Sequence, residues 1–105
     1  MNVKFEYLYR DAGNNKIWGE VVFSNSKNID FKVLDTHIRK LLIDHEFFIA
    51  QKSNLPRLSF QISDQKLDHD WYEYSSIDGT TDHENDIYNR DIKEFIGSLK
   101  QASLI

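Results

Sequence analysis

The chain of 105 residues contains no cysteine, a single proline and only four glycines. Without cysteine it can form no disulfide, no thiolate nucleophile, no Cys-ligated zinc site and no iron–sulfur cluster. The few glycines form no phosphate-binding loop, and no serine lies in the Gly-x-Ser-x-Gly turn of hydrolases. The chemistry with the clearest sequence signatures is therefore missing, and we expect neither an enzyme nor a bound cofactor.

Long apolar runs are also lacking. No segment approaches the roughly 20 apolar residues that cross a bilayer, and the N-terminus has no run typical of a secretory signal. We therefore expect a cytoplasmic protein with no membrane partner. The composition is 40% hydrophobic and 13% aromatic, which is enough for one core in a chain of this length. This predicts a single domain over residues 1–105.

Negative charge is concentrated in the second half of the chain, and the net charge is −4. Residues 1–63 contain nine Lys/Arg and seven Asp/Glu, whereas residues 64–105 contain four and ten. No cluster of Lys/Arg matches a phosphate backbone, so direct nucleic-acid binding is disfavoured. An acidic face suits a basic protein partner, although acidity that serves only solubility would give the same composition.

Alternation of apolar and polar residues predicts four strands. The first two, at 3–10 and 16–24, are separated by a short polar turn and predict a β-hairpin. The other two are predicted at 58–62 and 70–77. The segment 46–56 is harder to interpret, and its apolar start is compatible with one more short strand.

Two amphipathic helices are predicted from apolar spacings of three and four. The first covers about 31–43 with Asp30 as its N-cap, and the second covers about 86–100 with Asp86 as a plausible N-cap. The apolar stripe of the second helix is Tyr88, Ile92, Phe95, Ile96 and Leu99.

The element order is β–β–α–β–β–α, which predicts an α+β fold with an antiparallel sheet and both helices on one face. Glycines refine this expectation. Gly13 and Gly79 are assigned to turns, and Gly19 inside a strand indicates a bulge or a close backbone approach. Gly97 inside the last helix points to close packing against the sheet.

Three segments resemble a small, scattered bacterial family of uncharacterised proteins. They are YRDAGNNKIWGEVVFSN at 9–25, LIDHEFFI at 42–49 and LDHDWYEY at 67–74. The resemblance spans much of the chain and implies a compact bacterial protein. It supplies no catalytic residue and no mechanism.

The leading hypothesis for function is a non-enzymatic, acidic module that neutralises a basic protein partner such as a toxin or nuclease. An immunity protein against a nuclease-type toxin is its most concrete form, and an anti-defence inhibitor that mimics nucleic-acid charge is a close variant. Carboxylates would speed the encounter, and aromatic anchors would prolong the bound state. The predicted partner-binding residues are Asp68, Asp70, Trp71, Glu73, Asp82, Glu84 and Asp86.

Two further hypotheses stay open. A metal-dependent hydrolase could be centred on Asp68, His69 and Asp70, with a distant His45, Glu46 or His83 as an additional ligand. A structural or assembly subunit could instead associate through an exposed apolar patch. The patch expected for that role lies around Trp18 and Val22 on the outer sheet face. The sequence does not indicate the oligomeric state.

Overall fold

The computed structural model describes residues 1–58 and 71–104. Their order confirms the predicted α+β class with an antiparallel sheet. None of the helices in these residues is long and apolar enough to cross a membrane. The elements are β1 (Asn2–Arg10), β2 (Lys16–Phe23), α1 (Phe31–Leu41), β3 (Phe47–Ile49), α2 (Ala50–Ser53), β4 (Trp71–Thr80) and α3 (Ile92–Ala102).

The sheet has the order β2-β1-β4-β3, and every neighbouring pair is antiparallel. The predicted hairpin is confirmed, because β1 and β2 pair from Val3 with Phe23 to Arg10 with Lys16. The left-handed residue of its turn is Asn14, with a φ of 65°. Asparagine tolerates this conformation better than most residues.

The strand β4 lies beside β1 in the middle of the sheet and is longer than the predicted 70–77. Its pairing with β1 runs from Leu8 and Glu73 to Asn2 and Thr80. Gly79 therefore lies in this strand, and its assignment to a turn was wrong. The predicted strand at 58–62 falls almost wholly outside the described residues. The short strand anticipated within 46–56 is β3, which forms an edge of the sheet.

The helix α3 begins at Ile92, later than predicted, because Asp91 and not Asp86 is its N-cap. The Asp91 side chain accepts a hydrogen bond from the Lys93 N–H, and the Glu94 side chain accepts one from the Asp91 N–H. This reciprocal pair is a capping box. Asp91 also accepts hydrogen bonds from the Ser24 hydroxyl and the Ser26 N–H, so the start of α3 is fixed to the chain after β2.

The core lies between one face of the sheet and the helices α1 and α3. The rings of Phe23 and Phe95 stack with centroids 4.3 Å apart, and Phe5 packs edge-on against Phe95. Such aromatic pairs stabilise a small core beyond the area that they bury. Other fully buried side chains are Val3, Tyr7, Leu34, Ile38, Phe48, Ile92 and Leu99.

The two glycines inside regular elements differ in their surroundings. A Cβ atom on Gly19 would lie 2.7 Å from the ring of Tyr7, so the predicted close approach is confirmed. A Cβ atom on Gly97 would meet nothing within 4 Å. The close packing expected at Gly97 was therefore wrong, and this glycine lies on the exposed side of α3.

Candidate functional site

The segment from residue 81 to residue 90, here the 81–90 loop, joins β4 to α3 and crosses one end of the sheet. The Asn2 side chain donates a hydrogen bond to the Asp82 carbonyl. Further along, the Asn85 N–H donates to the Val22 carbonyl, and the Val22 N–H donates to the Asn85 side-chain oxygen. Asn85 therefore occupies the outer edge of β2 at Val22, as a short additional strand would.

Arg90 fixes the second half of the loop from within the protein, where it is almost fully buried. Its Nε and Nη2 each donate to one carboxylate oxygen of Asp86 at 2.9 Å. Its guanidinium also donates to the carbonyls of Ser53 and Asn54, at 2.8 and 2.9 Å. A bidentate arginine–carboxylate pair is among the strongest side-chain contacts, because both hydrogen bonds are charge-assisted.

The guanidinium of Arg90 also lies near three aromatic rings. Its central carbon is 5.0 Å from the ring centroid of Phe95, 5.2 Å from that of Tyr88 and 5.6 Å from that of Phe23. A cation at such a distance is attracted by the ring quadrupole. Arg90 thus connects the 81–90 loop to the core, to α2 and to α3.

The pKa of Asp86 reflects this environment. Burial by itself raises the pKa of the carboxyl, but hydrogen bonds from the side chain and backbone of Arg90 act against it. Their combined effect lowers the pKa below its usual value. Asp86 is therefore a buried, charged and fully paired group at neutral pH.

Two apolar side chains of the same loop point outward. Ile87 is 76% exposed and Tyr88 is 56% exposed, whereas Asp86 and Arg90 on either side of them are buried. Tyr88 was predicted in the buried stripe of the last helix, which was wrong because α3 begins only at Ile92. Large apolar side chains on a backbone held in one conformation are typical of binding anchors.

Sequence reasoning missed Ile87 as a candidate. The signal that could have found it is the spacing of Asp91 and Glu94, which matches a capping box. A helix that starts after Asp91 leaves Ile87 and Tyr88 in a loop, where large apolar residues need an explanation.

The predicted partner-binding residues have different environments. Asp68 and Asp70 lie outside the described residues. Trp71 begins β4, is partly buried and has its ring 5.7 Å from that of Phe47.

Two of the predicted carboxylates are paired inside the protein. Glu73 is buried on β4 and accepts hydrogen bonds from Arg10 at 2.8 and 3.1 Å. Asp86 is paired with Arg90, as described above. Asp82 and Glu84 are exposed on the first half of the 81–90 loop, together with His83. The structure thus brings Asp82 and Glu84 onto the same loop as Ile87 and Tyr88.

The centre of the metal-site hypothesis, Asp68, His69 and Asp70, lies outside the described residues. Among residues 1–58 and 71–104, no group of three or more His, Asp or Glu side chains could hold a metal ion. The ring of His45 is exposed and lies within hydrogen-bonding distance of the Arg39 carbonyl near the end of α1. On the sheet, Trp18 is 57% exposed but Val22 is buried. The apolar patch expected around both is therefore reduced to Trp18.

Comparisons with protein-family models, with curated proteins and with solved structures find no match to this chain.

Proposed function

We propose that this protein is a non-enzymatic module that binds and neutralises a basic protein partner through the 81–90 loop. The most concrete form is an immunity protein that inhibits a nuclease-type toxin. The supporting observation is that Ile87 and Tyr88 are exposed on a backbone that Arg90 and Asn85 hold in place. A loop ordered before binding loses little conformational entropy when it meets its partner.

The charges of the loop suit a partner that itself handles nucleic acid. A nuclease presents Lys and Arg to the phosphate backbone, so its surface near the active site is positive. Asp82 and Glu84 precede the two anchors on the same loop, where they would attract such a surface. In this proposal, the carboxylates raise the rate of encounter and the anchors determine how long the complex persists.

The deciding experiment co-expresses the chain with any nuclease-type toxin whose gene lies directly beside its own and measures bacterial growth. The chain should restore growth. Ile87→Ser should weaken binding of the catalytically inactive toxin by about 30-fold, since a buried anchor contributes about 2 kcal/mol. Calorimetry with the purified proteins gives the affinity.

The matched control is Val33→Ser on α1, which removes a similarly exposed aliphatic side chain on another surface. It should leave both growth and affinity unchanged. Equal affinities for Ile87→Ser and the unmodified chain would refute the role of the loop. Failure of the unmodified chain to bind the adjacent gene product would refute the immunity form.

A further inference from the structure

One half of the β2 edge is open within the part of the chain that the structure describes. At the hairpin end, the Asp11 N–H donates a hydrogen bond to the Asn15 carbonyl. Hydrogen-bonded pairs alternate along an antiparallel ladder, so the backbone groups of the odd-numbered residues of β2 bond to β1. The backbone N–H and C=O groups of the even-numbered residues point away from β1, and those of Val22 form hydrogen bonds with Asn85. Within residues 1–58 and 71–104, the stretch Lys16–Glu20 has no backbone partner on that side.

The opposite edge of the sheet is covered. The strand β3 is short, and its outer side exchanges two backbone hydrogen bonds between Phe47 and Ile43, at 2.8 and 2.9 Å. Unpaired edge strands attract further strands, and proteins commonly block them with a proline, a bulge or a covering loop. Among the residues that the structure describes, the stretch Lys16–Glu20 has none of these devices, so the sheet can be extended at this edge.

The side chains of this open stretch favour one particular occupant. The side chains of Lys16, Trp18 and Glu20 lie on the outer face of the sheet, and all three are exposed. Glu20 lies directly opposite Glu6 of β1, which is an unfavourable pairing of like charges. The Lys4 amine, 3.8 Å from Glu20, relieves it only in part. A strand that brings a second cation to Glu20 would therefore be favoured.

We propose that this occupant is a second copy of the chain, with β2 paired to β2 antiparallel across a two-fold axis at Trp18. In that register, Lys16 of each copy lies opposite Glu20 of the other, and the two Trp18 rings are neighbours. When the pattern Lys-x-Trp-x-Glu is paired with a reversed copy of itself, each lysine lies opposite a glutamate. A two-fold interface requires such a self-complementary surface. About six backbone hydrogen bonds form, and the two sheets become one continuous sheet.

Structure at both ends of the open stretch sets this register. The hairpin turn at 11–15 ends the strand on one side, and Asn85 occupies the edge at Val22 on the other. A shift in one direction would place strand residues of one copy at Val22 of the second, where Asn85 already lies, and a shift in the other direction would leave part of the stretch opposite the turn. Either shift would also separate the opposite charges. The Trp18-centred arrangement uses the whole open stretch without either conflict.

The test is the molar mass of the full chain, measured by light scattering and sedimentation at micromolar to hundreds of micromolar concentrations. We expect a dimer. Lys16→Glu or Glu20→Lys places like charges opposite each other twice in the symmetric interface. Each change should weaken the dimer by about tenfold or more. An equimolar mixture of these two variants should regain the dimer, because every opposed pair is then of opposite charge.

The control is Glu46→Lys, which changes the net charge as Glu20→Lys does but lies at an exposed position before β3. It should leave the dimer intact, and circular dichroism should show all variants folded. A monomeric unmodified chain would overturn the proposal. So would a dimer that Lys16→Glu, Glu20→Lys and Trp18→Ser all leave unchanged. None of these substitutions lies in the 81–90 loop, so dimer formation and partner binding are measured separately.

Discussion

At the scale of single residues, the ion pair of Asp86 and Arg90 is the most informative contact in the molecule. It is nearly fully buried, it supplies hydrogen bonds to the carbonyls of Ser53 and Asn54, and it leaves Ile87 and Tyr88 exposed. A buried arginine needs such partners, since an uncompensated charge in the interior is strongly unfavourable. The pair therefore explains how the loop is attached to the rest of the protein.

We predict that Asp86→Ala lowers the free energy of unfolding by about 3 kcal/mol, because it leaves the Arg90 charge buried without a carboxylate. Asp82→Ala, which removes an exposed carboxylate of the same loop, should change it by less than about 0.5 kcal/mol. Urea denaturation of both variants provides the comparison. A similar small loss for Asp86→Ala would show that water or another group solvates Arg90.

The same pair gives a pH dependence of defined sign. The pKa of Asp86 is lower in the folded protein than in the unfolded chain, so the unfolded chain binds the proton first as pH falls. The stabilisation is complete above the unfolded value, near pH 4, and is lost as pH falls through the lowered folded pKa. Asp86→Asn should therefore flatten the acid limb of unfolding free energy against pH. The slope that remains belongs to groups such as Asp91, whose pKa is also lowered.

At the scale of elements, periodicity predicted β1, β2, β4 and α1 nearly where they lie. These elements each bury one face, so their pattern of apolar residues is a local property. The start of α3 could not be read in the same way, because Tyr88 and Ile92 have helical spacing and both Asp86 and Asp91 are good caps. The structure supports Asp91 through its capping box with Glu94 and through the contacts of Arg90 with Ser53 and Asn54, which are distant in sequence.

The two glycines within elements give a matched pair of substitutions. Gly97→Ala should raise the free energy of unfolding by about 1 kcal/mol, since alanine favours a helix and its Cβ meets no neighbour. Gly19→Ala should lower it by about 1–3 kcal/mol, because its Cβ would overlap the Tyr7 ring. That ring is held by the hydrogen bond from its hydroxyl to the Pro56 carbonyl. Thermal and urea unfolding measure both changes, and destabilisation by Gly97→Ala would contradict the open surroundings at that position.

At the scale of the whole molecule, charge along the chain predicted only part of the charge on the surface of the described residues. In the acidic second half, Glu73 forms an ion pair with Arg10 of the first half, and Asp86 and Asp91 form contacts within the protein. Periodicity identifies which residues form a strand, but only the order β2-β1-β4-β3 determines which charges become neighbours. Of the candidate site, Asp82 and Glu84 were thus predicted from sequence, whereas the exposed anchors were missed because helical spacing placed Tyr88 in the last helix.

The exposed carboxylates of the 81–90 loop, Asp82 and Glu84, lead to a prediction about the rate of association with the partner. Glu84→Lys should slow binding to a basic partner and flatten its dependence on salt, since it reverses a charge beside the anchors. Glu46→Lys, with the same change in net charge at a different surface, should have a smaller effect. Stopped-flow measurements at several ionic strengths compare the two variants. Equal effects of both would mean that only the overall charge steers the partner.

Along the 81–90 loop, side chains that hold the backbone alternate with side chains that are exposed to solvent. Asn85, Asp86 and Arg90 hold the backbone, whereas the side chains at 82–84 and 87 are exposed. Substitutions at 82–84 and 87 can therefore alter what the surface recognises while the scaffold stays the same. Such a division allows specificity to diverge among related chains, and it offers positions for a combinatorial library that would retain the fold.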